Sequence, residues 1–303
     1  GKGAIRNLGS FSVSTAQMSG ITLTGDTTIY SPNGHLGLIR GDFGPTTFEL
    51  NGHTLRCDYA PGNAGFWFCN TTGTTEGSVY FNGGIPYFYH NTYTVDIRNV
   101  DFVVDGSSAI FRIPDGSCSK TVWARDVTIQ NGATFEEGSN VTHLRNLTLL
   151  DGSKVSGKVA WIYVSGQVTV SNETTNIALA PPIYLDGTAP KLVKYGAGTF
   201  TINNNHTDQR MDGGAELFGG TVVMSSTAST KNYHVAISSQ PVPVTIHAGA
   251  TLDMTQCTQP VKLSALQIDA GGTLRHNPSQ SIAFTNGTTF LRAPRSVFFW
   301  IWI

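Results

Sequence analysis

Short runs of alternating apolar and polar residues cover much of the chain. Residues 20–30 and 47–55 are two examples, and the second contains an Asn51-Gly52 turn signal. A period of two predicts β-strands that bury one face and expose the other. Gly and Pro interrupt the long windows, and no segment carries an apolar stripe at helical spacing. The pattern therefore predicts an all-β protein.

Two short signatures recur along the chain. An arginine followed by a strand-like stretch and a turn occurs at residues 97–107, 124–133 and 144–153. The second signature has three successive positions: a Gly or other small residue, then usually a Thr, then an apolar residue. It recurs between residues 132 and 274, and its threonines are Thr134, Thr199, Thr221, Thr251 and Thr273. A period of about 21 residues is typical of one solenoid coil, with loops inserted at a corner. A β-sandwich does not account for this period, so the sequence predicts a parallel β-helix.

Alignment of the three arginine phrases predicts which side chains stack. We expect an inward-facing core column of Val100, Phe102, Val127, Ile129, Leu147 and Leu149. We also expect two corner columns, Asn99/Asp126/Asn146 and Asp105/Asn131/Asp151, and an alignment of Asp101 with Thr128 and Thr148.

The acids in these phrases are candidates for a catalytic or ion site, because polysaccharide-cleaving enzymes use carboxylates. Each aligned column, however, alternates an acid with Asn or Thr. That alternation is typical of a side-chain ladder that satisfies backbone groups at turns, and the nearby arginines fit weak surface ion pairs. We therefore predict no catalytic residue. The residues weighed are Asp101, Asp105, Asp126 and Asp151, with Arg98, Arg125 and Arg145.

The chain is predicted to divide into three stretches. Residues 1–95 form a β-rich region with an inserted aromatic loop, residues 96–292 form regular β-helix coils, and residues 293–303 form an unassigned tail.

The inserted loop carries an aromatic cluster. Aromatic faces stack on sugar rings and a Tyr adds a hydroxyl, so the cluster is a candidate carbohydrate-binding site. The alternative is an aromatic cap packed over one end or side of the helix. The candidate residues are Tyr87, Tyr89, His90 and Tyr93.

Composition narrows the function classes. Only 13% of the residues are charged, the net charge is −1, and no basic run is present, so the electrostatic pattern of a nucleic-acid-binding protein is missing. The apolar runs are too short for a transmembrane helix. The four Cys form no C-x-x-C pair and the eight His form no i, i+2 or i, i+4 pair, so we predict no metal site and no cofactor. Cys57 and Cys69 either form one disulfide or remain separate thiols.

Residues 194–202 and 216–224 read Lys-Tyr-Gly-Ala-Gly-Thr-Phe-Thr-Ile and Glu-Leu-Phe-Gly-Gly-Thr-Val-Val-Met. This segment resembles the autotransporter-associated β-strand repeat, which is found in passenger regions of large secreted or surface-displayed bacterial proteins. The resemblance implies a right-handed parallel β-helix. It departs from the family in the polar loop at 203–207, and residues 1–95 carry no clear copy. The family shares no catalytic residue, so none is carried over.

The combined prediction is a structural, adhesin-like β-solenoid passenger region, located outside the cell or on its outer surface. It is expected to be a monomer that contacts glycans or host and cell-surface molecules, with no nucleic-acid partner. The first alternative is a carbohydrate-active β-helix enzyme, either a polysaccharide lyase or glycoside hydrolase-like. The second is a phage tailspike- or fibre-like domain. The start at Gly1 and the apolar end at 297–303 predict a fragment of a longer protein.

Overall fold

A computed structural model of the chain has only strands, turns and irregular connections in the residues it describes, so the predicted all-β class is confirmed. The described residues are 5–6, 17–31, 34–38, 44–59, 65–88, 94–113, 121–138, 141–157, 161–179, 183–185, 191–204, 210–211, 213–226, 242–258 and 261–284. The predicted tail at 293–303 lies outside them.

Parallel pairing between successive coils builds four ladders of strands. The first ladder, sheet 1, runs along the whole described stack. Its strands, in order, are β1 (Ile5–Arg6), β4 (Thr27–Ser31), β7 (Thr54–Tyr59), the first part of β10 (Gly77–Phe88), the first part of β12 (Val100–Ile113), β14 (Asp126–Gln130), β17 (Asn146–Leu150), β20 (Gln167–Ser171), β23 (Lys191–Tyr195), β26 (Ala215–Leu217), β28 (Val242–Ile246), β30 (Val261–Ile268) and β32 (Ile282–Phe284).

Sheet 2 follows sheet 1 in each early coil, and sheet 4 takes the same place in the chain order of the later coils. Sheet 2 consists of β2 (Gln17–Met18), β5 (Leu36–Leu38), β8 (Gly65–Phe68), the second parts of β10 and β12, β15 (Thr134–Glu137) and β18 (Lys154–Gly157). Sheet 4 consists of β21 (Asn176–Leu179), β24 (Thr199–Asn204), β27 (Gly220–Ser226), β29 (Ala250–Cys257) and β31 (Thr273–His276).

In the coils up to residue 211, sheet 3 precedes the return of the chain to sheet 1. Its strands are β3 (Gly20–Thr22), β6 (Thr46–Glu49), β9 (Thr71–Thr72), β11 (Val95–Ile97), β13 (Thr121–Ala124), β16 (Val141–Leu144), β19 (Trp161–Val164), β22 (Ile183–Leu185) and β25 (Arg210–Met211). Parallel sheets stacked coil on coil form a β-solenoid, so the predicted architecture is confirmed.

One apolar core fills the inside of the coils. The six residues of the predicted inward column all have 0% exposed surface. Their neighbours along each strand, such as Thr128 and Thr148, are only partly buried, which is the alternation that a strand with one inward face requires. In the early coils the core is aromatic: the Phe68 and Phe88 rings stack with centroids 5.2 Å apart, and Phe111 and Phe135 stack at 5.1 Å.

The recurring Gly-Thr-apolar signature marks one column of sheets 2 and 4. Strand pairing places Thr134 opposite Lys154, and it places Thr199, Thr221, Thr251 and Thr273 opposite one another in turn. Each step between paired positions therefore corresponds to a single coil. The longest step, from Thr221 to Thr251, contains an insertion between strands.

The register predicted for the first arginine phrase is wrong by two positions in sheet 1. Ile97 pairs with Ala124 in sheet 3, as the alignment predicted. In sheet 1, Phe102 then pairs with Val127 rather than with Ile129. The corner from sheet 3 to sheet 1 is two residues longer between β11 and β12 than between β13 and β14 on the next coil. Val103, and not Asp101, therefore lies opposite Thr128.

The corner columns are therefore correct only in part. Asp126 pairs with Asn146 as predicted, and the Asn146 amide donates to the Asp126 carboxylate at 2.9 Å. The Asn131 amide likewise donates to Asp105 at 2.7 Å. Asn99 does not join its predicted column, because the longer corner moves its amide to the Thr74 carbonyl of the preceding coil, at 2.8 Å.

Cys57 and Cys69 are both buried free thiols. Of the two alternatives for this pair, the structure has the separate thiols. Burial raises the pKa of Cys69 to about 11, so this side chain is a neutral thiol at neutral pH.

Replacing Ile129 with Ala is expected to lower the free energy of unfolding by about 2–5 kcal/mol, because it leaves a cavity in a closely packed column. Equilibrium denaturation of the full chain is the measurement. Thr128→Ala is the matched control, because its side chain points out of the same strand and should cost about 0.5 kcal/mol or less. Equal effects of the two substitutions would contradict the inward assignment of Ile129.

Candidate functional site

Of the four predicted carbohydrate-binding residues, only Tyr87 lies within the described residues, since Tyr89, His90 and Tyr93 fall outside them. Tyr87 belongs to an outward-facing column of sheet 2. Register pairs link the members of this column, Gly37, Trp67, Tyr87, Arg112 and Glu136, from coil to coil. We call the side chains of Trp67, Tyr87, Arg112 and Glu136, together with neighbouring His35, the Tyr87 cluster.

Neighbouring side chains lie along both faces of the Tyr87 ring. The Trp67 ring centroid lies 5.0 Å away on the preceding coil, at an angle of 34°. The Arg112 guanidinium lies over the ring from the next coil, 5.6 Å from its centroid, and donates to the Tyr87 hydroxyl at 3.1 Å. A sugar ring stacks on a free aromatic face, so Tyr87 offers a ligand its edge and hydroxyl rather than a face.

Polar contacts hold the rest of the Tyr87 cluster in place. The indole N–H of Trp67 donates to Nδ1 of His35 at 2.9 Å, and burial lowers the pKa of His35, so the imidazole is a neutral acceptor at neutral pH. Arg112 and Glu136 form an ion pair with Nε and Oε1 2.9 Å apart. A Cβ atom at Gly37 would lie 2.6 Å from Cβ of Trp67, so glycine makes room for the indole.

Sequence reasoning missed Trp67, Arg112 and Glu136 as neighbours of Tyr87. Their spacing carries the signal, because each member from Trp67 to Glu136 follows the one before it at close to the period of one coil. Residues next to Tyr87 in the sequence, by contrast, point to other sides of the strand.

The acids that were weighed as catalytic candidates pair with arginine, threonine, tyrosine or asparagine side chains. Arg125 donates to both oxygens of Asp101, at 2.6 and 2.7 Å, and Arg145 donates to both oxygens of Asp126, at 2.8 and 2.5 Å. Hydrogen bonds from Thr175 and Thr174 lower the pKa of Asp151 to about 2. Partners on a neighbouring coil occupy these carboxylates, so they form a polar edge that links adjacent coils.

A second aromatic column lies on the outside of sheet 3. The rings of Trp123 and His143 stack with centroids 3.8 Å apart and 6° between their planes, and His143 stacks on Tyr163 at 4.8 Å and 13°. The Arg98 guanidinium covers the opposite end of the stack, 4.7 Å from the Trp123 centroid. These rings also face one another along the stack of coils, so they stabilise the contact between coils.

Lys194, the first residue of the repeat-like segment, is buried with 0% exposed surface. It occupies an inward position of sheet 1 between Val170 and Leu217. Its ammonium group donates to the main-chain carbonyls of Tyr195 and Gly196. Burial lowers the pKa of Lys194 to about 8.

The described residues contain no group of three or more His, Cys, Asp or Glu side chains placed to hold a metal ion. Within the same part of the chain, no helix is long and apolar enough to cross a membrane.

Comparison with protein-family models, curated proteins and solved structures gave no match to this chain. The resemblance of residues 194–224 to the autotransporter-associated repeat stays a prediction.

The Trp123–His143 stack should contribute measurable coupling energy. A double-mutant cycle with Trp123→Ala and His143→Ala is expected to give about 0.5–1.5 kcal/mol, the usual range for a ring pair. The matched control is a cycle between Trp123 and Tyr30, which lie on different sheets and distant coils, and it should be additive to within about 0.5 kcal/mol. A Trp123–His143 value no larger than the control would contradict a stabilising stack.

Lys194 should make stability depend on pH above neutrality. Between pH 8 and the unfolded-state pKa near 10.5, the unfolded chain holds the Lys194 proton and the folded chain does not. The free energy of unfolding contributed by this group therefore rises with pH across that window. Lys194→Met removes the group, so the stability of the wild type relative to this variant should increase from pH 8 to 10.5. Parallel curves for the two proteins in urea denaturation would refute it.

Proposed function

We propose that the chain is a rigid, adhesin-like β-solenoid rod that holds its connecting segments away from a surface for display. The observation that carries the proposal is that polar, charged and aromatic side chains on the outside of the coils pair mainly with side chains of a neighbouring coil. Such pairing stiffens a stack and leaves function to the connections between strands.

The variable length of the connections supports a display role. Residues 227–241 connect β27 to β28, and residues 114–120 connect β12 to β13, whereas Arg125 alone separates β13 from β14. Parallel sheet pairing continues on either side of both long connections, with register shifts next to residues 227–241 only. Segments that vary in length on a constant scaffold are the places where binding residues concentrate.

The pairing of the candidate acids favours the rod over a carbohydrate-cleaving enzyme. A general acid needs a carboxyl group that can hold a proton near neutral pH. Hydrogen bonds from Thr175 and Thr174 instead lower the pKa of Asp151 to about 2, and two guanidinium N–H groups occupy Asp101. A fibre-like trimer would need a broad exposed apolar face, and the large apolar side chains that are exposed within the described residues are Tyr30, Tyr195 and Phe218.

Extracellular location and membership of the autotransporter-associated repeat family are part of the same proposal. They are supported by the Lys-x-Gly-x-Gly-Thr segment at 194–199. Its glycines lie in the corner between sheets 1 and 4, and Lys194 and Thr199 flank that corner. Gly196 has a positive φ, as does Gly220 on the next coil. Secretion would suit a fold in which each coil contacts only its neighbours, because such a fold can form coil by coil.

The display role predicts that the long connections can be exchanged without loss of the fold. Replacing residues 114–120 or 227–241, each in its own variant, with a Gly-Ser linker of equal length should leave the midpoint of thermal unfolding within about 4 °C of the wild type. Beads coated with the full chain should attach to cells or to polysaccharide surfaces, and at least one linker variant should lose that attachment. Beads coated with heat-unfolded chain are the control.

Two outcomes would overturn the proposal. One is turnover of a polysaccharide by the purified chain that disappears on Asp101→Asn or Asp126→Asn. The other is loss of cooperative unfolding in both linker variants, which would show that the connections are part of the fold.

A further inference from the structure

An outward-facing column at the end of sheet 1 contains an abrupt change in side-chain size. Strand pairing places Leu150 opposite Ser171, and Ser171 opposite Tyr195. Phe218 and His247 follow the paired residues Leu217 and Ile246 on the next two coils. The column thus runs Leu150, Ser171, Tyr195, Phe218, His247, and its one small side chain lies between a leucine and an aromatic ring.

The aromatic part of this column is a stack that ends at Tyr195. Tyr195 and Phe218 have ring centroids 5.0 Å apart with 9° between their planes, and Phe218 and His247 are 4.4 Å apart with 14°. Tyr195 is 41% exposed and Phe218 is 39% exposed. Phe218 is covered on both faces, whereas the face of Tyr195 that points away from Phe218 lies over the coil of Ser171.

The Ser171 position leaves a slot one coil deep. Parallel strands are about 4.8 Å apart, so Leu150 and Tyr195, two coils apart, have backbones separated by about 9.6 Å. A flat six-membered ring needs about 3.5–4 Å of van der Waals distance on each side, or about 7–8 Å in total. The slot between Leu150 and Tyr195 therefore fits one ring, with the small Ser171 side chain as its floor.

A carboxylate lies at the rim of this slot. Oε2 of Glu173 accepts the backbone N–H of Ala197 at 3.0 Å, which fixes the carboxylate beside the turn that follows Tyr195. The other oxygen, Oε1, would lie 2.9 Å from a Cβ atom placed on Gly196. A fixed carboxylate has further lone pairs that accept hydrogen bonds from hydroxyl groups.

We propose that this slot, formed by Leu150, Ser171, Glu173 and Tyr195, binds one pyranose ring of a neutral saccharide. The apolar C–H face of the sugar stacks on Tyr195, Leu150 packs against the opposite face, and ring hydroxyls donate to Glu173. Neutral sugars fit best, because a phosphate or uronic acid would be repelled by Glu173, and an aromatic peptide side chain would leave that carboxylate without a donor. The proposal goes beyond the rod function and does not depend on it.

Saturation-transfer NMR of the purified full chain with cellotetraose, xylotetraose, mannotetraose and maltotetraose tests the proposal. At least one of these saccharides should bind, with transfer to its ring C–H protons. Tyr195→Ala should weaken that binding by about tenfold or more, equal to about 1.4 kcal/mol. Tyr195→Phe keeps the ring and should retain most of the affinity.

Ser171→Phe is the sharper variant, because it fills the slot and extends the aromatic stack. It should abolish binding while leaving the midpoint of thermal unfolding unchanged or raised, so a folding defect cannot explain the loss. Tyr30→Ala, which removes another exposed aromatic side chain on a distant coil, is the control and should bind like the wild type.

Binding of no saccharide at concentrations up to about 10 mM would overturn the proposal, since that corresponds to a free energy weaker than about 3 kcal/mol. Wild-type affinity in Ser171→Phe, or displacement of the sugar by an aromatic peptide at lower concentration, would overturn it as well. Failure of this test leaves the display proposal standing, because that proposal is tested by the loss of attachment in the linker variants, which leave all four slot residues unchanged.

Discussion

The parallel hydrogen-bond ladder between successive coils is the constraint on which the rest of the structure depends. It sets a repeat of about 4.8 Å along the stack, and that distance is close to the separation of stacked aromatic rings. A residue type that recurs once per coil therefore meets its equivalent at contact distance. The phenylalanines of the core, the Trp123–His143–Tyr163 column and the Tyr195–Phe218–His247 column all use this coincidence of spacings.

The same spacing determines what charged residues can do on this surface. Like charges one coil apart would repel at close range, and Asp101, Asp126 and Asp151 instead meet basic or hydroxyl partners. Arg145 reaches Asp126, Arg125 reaches Asp101, and Asp151 meets Thr174 and Thr175. Exposed pairs of this kind contribute little stability each, but they allow charged residues to lie one coil apart without repulsion.

Sequence alone predicted the interior better than the outside. Ile129 and Leu149 could be placed inward because alternation along a strand is a local property, and both of their strands alternate between buried and partly buried residues. The position of Asn99 could not be derived, because the length of a corner is not encoded by alternation and a longer corner shifts everything after it. The partners of Tyr87 were missed for a related reason, because each lies on a neighbouring coil. They can be recognised as neighbours only when the number of residues in each coil is known. Lys194 was read as part of a motif, whereas its inward position in sheet 1 was recognisable only once the register was known.

Each described coil pairs with the coil before it and the coil after it. A pulling force along the stack would act on these junctions as it does on links in series, with every junction bearing the full load. The resistance of the rod to such tension would then equal that of its weakest junction, however many coils are added, whereas its resistance to bending would gain from every column that crosses a junction. In the proposed display role, the outer stacks of rings and ion pairs would matter most where they reinforce the junction that yields first under tension.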